Sequence, residues 1–124
     1  MRVITTMLVL LLSAGSTWAE WEKVLDGSDG TEFYIDPTTI RREGNLRRVW
    51  EMENLKSRYK DGELSRRSRL EIDCKQERYR FISRSTHSGA KLAGDTLSNS
   101  ESLSWGGEIP PDTPFFAIMK KVCK

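Results

Sequence analysis

The sequence predicts an α+β fold: a small antiparallel sheet of about five or six strands with one C-terminal helix packed on a face. Three observations predict it. Short stretches of alternating polar and apolar residues recur between turn signals, helical spacing appears only at the end of the chain, and the two cysteines, Cys74 and Cys123, fall on a strand and on that helix.

The 124 residues begin with Arg2, the apolar run Val3 to Leu12 and a small-residue stretch ending at Thr17-Trp18-Ala19. That is the pattern of a secretory signal peptide over residues 1–19, cleaved before Glu20, and its apolar core is far shorter than the roughly 20 residues that span a bilayer. Residues 20–124 then form a single domain in a periplasmic or secreted location. An oxidising compartment turns Cys74 and Cys123 into a predicted disulfide; a metal or redox pair lacks both a ligand set around the lone His87 and a Cys-x-x-Cys spacing. The formal charge of +2 falls to +1 without Arg2, which predicts no bulk attraction to nucleic acid or membrane.

The elements follow in order. Trp21 to Leu25 reads as a strand, 26–30 as a turn, and Thr31 to Ile35 as a second strand with Phe33 and Ile35 facing together. Asp36-Pro37-Thr38-Thr39-Ile40 is expected to form a short helical turn capped by Asp36, with Ile40 folding back onto the core. After a Gly44-Asn45 turn, Arg47 to Leu55 alternates with Trp50 and Met52 on one face and Glu51 and Glu53 on a solvated one. Asp61-Gly62 signals a hairpin, and Arg67 to Cys74 returns with Ser68, Leu70, Ile72 and Cys74 inward. Pairing Met52 with Leu70 or Ile72 requires a bulge or an odd-length loop here. Arg78 to Ser85 is expected to point Tyr79 and Phe81 inward and Arg78, Arg80 and Arg84 outward. From His87 to Glu108 the chain is rich in Ser, Gly and Asp and predicts a loop with one further strand around Ala90 to Leu97. Pro111-Asp112-Thr113-Pro114 starts a helix carrying Phe115, Ile118, Met119 and Val122 on one face.

No catalytic constellation emerges. His87 stands in a predicted loop without a nucleophile elbow, Glu51 and Glu53 read as neighbouring exposed carboxylates, and Gly106-Gly107 lacks the lysine of a phosphate cradle. The chain is therefore read as non-enzymatic and without a cofactor or metal. Candidate partner-binding residues are Arg67, Arg69, Arg78, Arg80 and Arg84, whose guanidinium forks suit carboxylate or sulfate groups. Trp50, Trp105 and Tyr79 are either core aromatics or the lining of a pocket between sheet and helix, the site of an alternative small-ligand function.

The order Phe33-Tyr34-Ile35-Asp36-Pro37-Thr38-Thr39-Ile40, Val49-Trp50, Glu71-Ile72-Asp73-Cys74, Trp105, Ile109-Pro110-Pro111-Asp112-Thr113 and Lys120 to Cys123 resembles the bacterial surface-adhesin protein E family. The resemblance implies a small antiparallel sheet, a C-terminal helix, a cysteine pair at Cys74 and Cys123, and adherence to a host extracellular or envelope protein. This sequence departs from the lipoprotein form of the founding adhesin in having no cysteine at its cleavage site, which favours a periplasmic or released protein over a lipid-anchored one.

Overall fold

The computed structural model describes residues 19–102 and 104–124, so residues 1–18 of the expected leader lie outside the described residues. Six strands form one antiparallel meander: β1 (Glu22–Asp26), β2 (Glu32–Glu43), β3 (Leu46–Asn54), β4 (Ser65–Asp73), β5 (Arg78–His87) and β6 (Thr96–Glu101). Each strand lies beside its sequence neighbours. A 3-10 turn (Ala90–Leu92) precedes β6, and the helix α1 (Pro114–Val122) ends the chain.

Alternation sends Ile35, Val49, Leu70 and Ile72 to one face, where they bury against Ile109 and against Ile118, Met119 and Val122 of α1. Phe115 stacks on Tyr79 at 4.5 Å and meets Phe33 and Phe81 edge-on. The helix starts as its sequence predicts: Pro114 opens it and the Thr113 hydroxyl accepts the Phe116 amide at 3.3 Å. Cys74 and Cys123 are bonded, with Cα atoms 5.7 Å apart, and tie the end of α1 to the end of β4.

Several local readings are corrected. Residues 36–40 are not a helical turn but part of β2, which slips register between Asp36 and Arg41. Pro37 is tolerated there because the ladder is interrupted; the Thr39 hydroxyl accepts the Trp50 amide at 3.0 Å and donates to the Asp36 carbonyl at 2.7 Å. Ile40 does pack on the core.

In β3 the faces are exchanged. Val49, Glu51 and Glu53 point toward the helix side, whereas Trp50 and Met52 point away, paired with Arg69 and Arg67 instead of Leu70 or Ile72. Met52 is nonetheless only 1% exposed, because this sheet is covered locally on its second face too. The 3-10 turn lies against β3 and β4 there, held by Ser65, whose hydroxyl donates to the Gly89 carbonyl and accepts the Leu92 amide. The β3–β4 connection is a long loop over 55–64, with its tight turn at Tyr59 to Gly62, where φ of +84° suits glycine.

The irregularity expected between β3 and β4 does not occur, since those strands pair in unbroken register; a bulge lies in β5 instead. Arg69 pairs with Ser83 and Leu70 with Phe81, leaving Ile82 without an opposite residue. That bulge inverts the facing of everything after it. Tyr79 and Phe81 are inward as expected and Arg78 and Arg80 outward, but Arg84 turns to the helix side and pairs with Glu53. Finally, the further strand occupies Thr96–Glu101 rather than 90–97.

Candidate functional site

The face opposite the helix carries the arginines. Arg67 and Arg69 project from β4 beside Trp50 of β3; the Arg67 guanidinium lies 4.0 Å from the indole centroid and that of Arg69 6.0 Å. One indole thus supports two cations. Neither guanidinium makes an ion pair or hydrogen bond among the described residues. The remaining candidates lie beside acidic groups. Arg80 donates to Glu71, which is fully buried and also receives Arg48 at 2.6 Å. Arg78 lies 4.0 Å from Asp73, and both Arg78 and Arg80 cover the ring of Trp105. Arg84 sits on the other side of the sheet with Glu53, near Arg66.

Burial alone would raise the Glu71 pKa, but hydrogen bonds from Arg48 and Arg80 outweigh it and hold the carboxyl below its ordinary value. Arg48 was not legible as a partner, since only the strand register aligns Arg48, Glu71 and Arg80 in one row across three strands.

Two concavities adjoin Trp50 and Arg67. A groove of about 710 Å³ runs over β5 and β6, lined by Ser83, Ser85, His87, Asn99 and Glu101 besides Trp50 and Arg67. A second, of about 360 Å³, lies toward β2 and the start of the described chain, lined by Ala19, Trp21, Asp36, Thr38 and Thr39 with the same pair. The hydroxyl and amide lining of the larger groove suits a polar partner, whereas the smaller concavity sets two indoles beside two threonines, Asp36 and Arg67. The three aromatics proposed to line one pocket are not brought together: Trp50 and Trp105 lie on this face, while Tyr79 stacks beneath the helix.

His87, expected in a loop, ends β5, and its Nε2 meets the Ser85 hydroxyl at 2.8 Å. Burial, with the Arg67 charge, pushes the imidazole pKa below its ordinary value. A nucleophile–base pair needs a third group to orient the histidine, and no hydrogen bond to the other ring nitrogen occurs among the described residues. These residues also contain no cluster of metal-ligating side chains and no helix long and apolar enough to cross a membrane.

The surface-adhesin protein E family model matches residues 21–124. Among solved structures, Haemophilus influenzae protein E superimposes with a TM-score of 0.57 at 13% identity, over 86% of this chain and 85% of that one. Its crystal form II gives 0.56 at 14% identity, over 73% and 79%. Protein E from non-typeable Haemophilus influenzae gives 0.56 at 12%, over 88% and 78%. At such identities the likeness establishes the fold. No curated protein is similar enough in sequence to count as a relative.

Proposed function

The chain belongs to the surface-adhesin protein E family, and from that premise we propose that it is an exported, non-enzymatic envelope protein that holds a protein partner on the face around Trp50, Arg67 and Arg69. The observation carrying this reading is the pair of guanidiniums that rest on one indole without a carboxylate of their own. Arginine forks match planar carboxylate or sulfate groups, and an indole beneath them supplies a rigid anchor. The binding role of the arginine face contracts from five residues to these two, because Arg78, Arg80 and Arg84 already face acidic neighbours. Export rests on the leader pattern of residues 1–19, and no cofactor is required.

The test is adherence of the mature protein to a surface coated with host extracellular-matrix protein, compared with the Arg67→Ala/Arg69→Ala variant. Retention should fall about tenfold in the variant, the size of one or two lost charge-assisted contacts. It should also fall with salt in the wild type, because exposed charges are screened over about 8 Å at physiological ionic strength. A folded double variant that adheres unchanged overturns the assignment.

A further inference from the structure

Asp36 is only 4% exposed, yet none of the ion pairs among the described residues includes it. Its Oδ1 accepts the Thr38 amide at 3.0 Å and the Thr38 hydroxyl at 2.5 Å, and its Oδ2 accepts the backbone nitrogen of Glu20 at 3.1 Å. A buried carboxylate held by neutral donors alone is costly. The one donor that can become a cation is Glu20 N. The leader pattern places the cleaved bond between Ala19 and Glu20, so two independent observations, one in the sequence and one in the fold, converge on the same nitrogen.

We infer that Asp36 is the receptor for the α-ammonium group of the processed chain: cleavage before Glu20 converts a neutral hydrogen bond into a partly buried ion pair that locks the new N-terminus onto β2. The inference rests on the exported reading above. In the step, an envelope endoprotease hydrolyses the Ala19–Glu20 bond with one water. The carbon–nitrogen bond breaks, hydroxyl goes to the Ala19 carbonyl carbon, and the Glu20 nitrogen leaves as an amine that takes up a proton from solvent. An α-ammonium, with an ordinary pKa near 8, is charged at neutral pH and offers three donors where the amide offered one. Ala19 also forms part of the wall of the smaller concavity, so its departure widens that concavity beside Trp50 and Arg67. Processing and the partner surface are therefore contiguous.

The test begins with intact mass of the native exported protein, which should start at Glu20; a native chain retaining residues 1–19 overturns both the exported reading and this inference. Chains starting at Glu20 and at Ala19 are then compared, each as wild type and as Asp36→Asn, which keeps an oxygen for Thr38 but removes the charge. The Glu20 chain should melt about 4 °C or more above the Ala19 chain, and Asp36→Asn should erase that gap. Peptide mapping after amine acylation should show the Glu20 α-amine reacting about tenfold more slowly than in the Asn variant, the protection given by roughly 1.4 kcal/mol of pairing. Equal melting of the two wild-type chains overturns the docking while leaving export intact. If the Asn variant does not fold, that wild-type comparison decides alone.

Discussion

Two glutamates, both fully buried, lie one on each face of the sheet and titrate in opposite directions. Glu51, on the helix side beside Ile35 and Ser68, has no hydrogen bond of ordinary geometry to either oxygen. Desolvation, then the Glu53 charge, pushes its pKa well above the ordinary carboxylate value, against the weaker pull of Arg84, Ser68 and Arg66. A raised folded-state pKa means that the unfolded chain ionises first as pH rises, so this residue removes stability from about pH 4.5 upward, toward its raised value. Glu51→Gln should match the wild type near pH 4 and be the more stable protein at pH 7 to 8, by on the order of 1 kcal/mol or more, read from thermal unfolding across pH. Glu71 has the reverse sign. Its depressed pKa contributes stability above the ordinary value that is lost as pH falls through the folded one. Arg80→Ala leaves Glu71 with Arg48 alone and should cost on the order of 2 kcal/mol at neutral pH, with the loss shrinking in acid. Arg80 is thus part of the fold and a poor reporter of binding.

At the scale of elements, the bulge at Ile82 decides which side of the sheet Arg84 serves. Deleting Ile82 takes out the extra residue and leaves Phe81 opposite Leu70, Ser83 opposite Arg69 and Arg84 opposite Ser68, so Arg84 keeps its side and its Glu53 partner; the expected outcome is a variant that still folds and unfolds cooperatively on heating, monitored by circular dichroism. The helix clamp gives a second expectation. Cys74 and Cys123 close a loop with a sequence separation of 49, so Cys123→Ser should cost about 4 kcal/mol in the chain-entropy model, measured by denaturant unfolding. What was legible in the sequence follows from how local each signal is. Thr113, Pro114 and the spacing from Phe115 to Val122 announce the helix within one short segment, and two cysteines admit one pairing. The face of Glu51 is not local: alternation pits Trp50 and Met52 against Glu51 and Glu53, hydrophobicity favours the first pair, and only the cover laid over Met52 by a turn some 40 residues later explains the outcome. A bulge residue carries no mark of composition, so Arg84 could be placed on a strand but not on a side. The sequence offers five candidate arginines as a set; which two lack an acidic partner depends on register across three strands.

Across the whole molecule, a formal charge of +2 over 20 basic and 18 acidic residues gives no long-range field to speak of, so any attraction is local to the face that leaves Arg67 and Arg69 unpaired. Association with an acidic partner should therefore depend on salt with the modest slope of about two charges, and supercharging remote surfaces should leave the bound lifetime unchanged. The strand order β1-β2-β3-β4-β5-β6 sets the order of events in time as well as the shape. Every strand finds its partner next door in the chain, so the sheet can assemble hairpin by hairpin with small loop-closure costs. The contact between Lys121 and Glu22, by contrast, joins the two extremities of the domain. Refolding should then protect the amides of β3, β4 and β5 from exchange before those of α1, with covalent closure at Cys74 last, on the slower clock of thiol oxidation. Until that closure the uncovered face bearing Leu70 and Ile72 is open, which makes the interval between sheet formation and helix docking the moment when the chain is most exposed to proteolysis and aggregation.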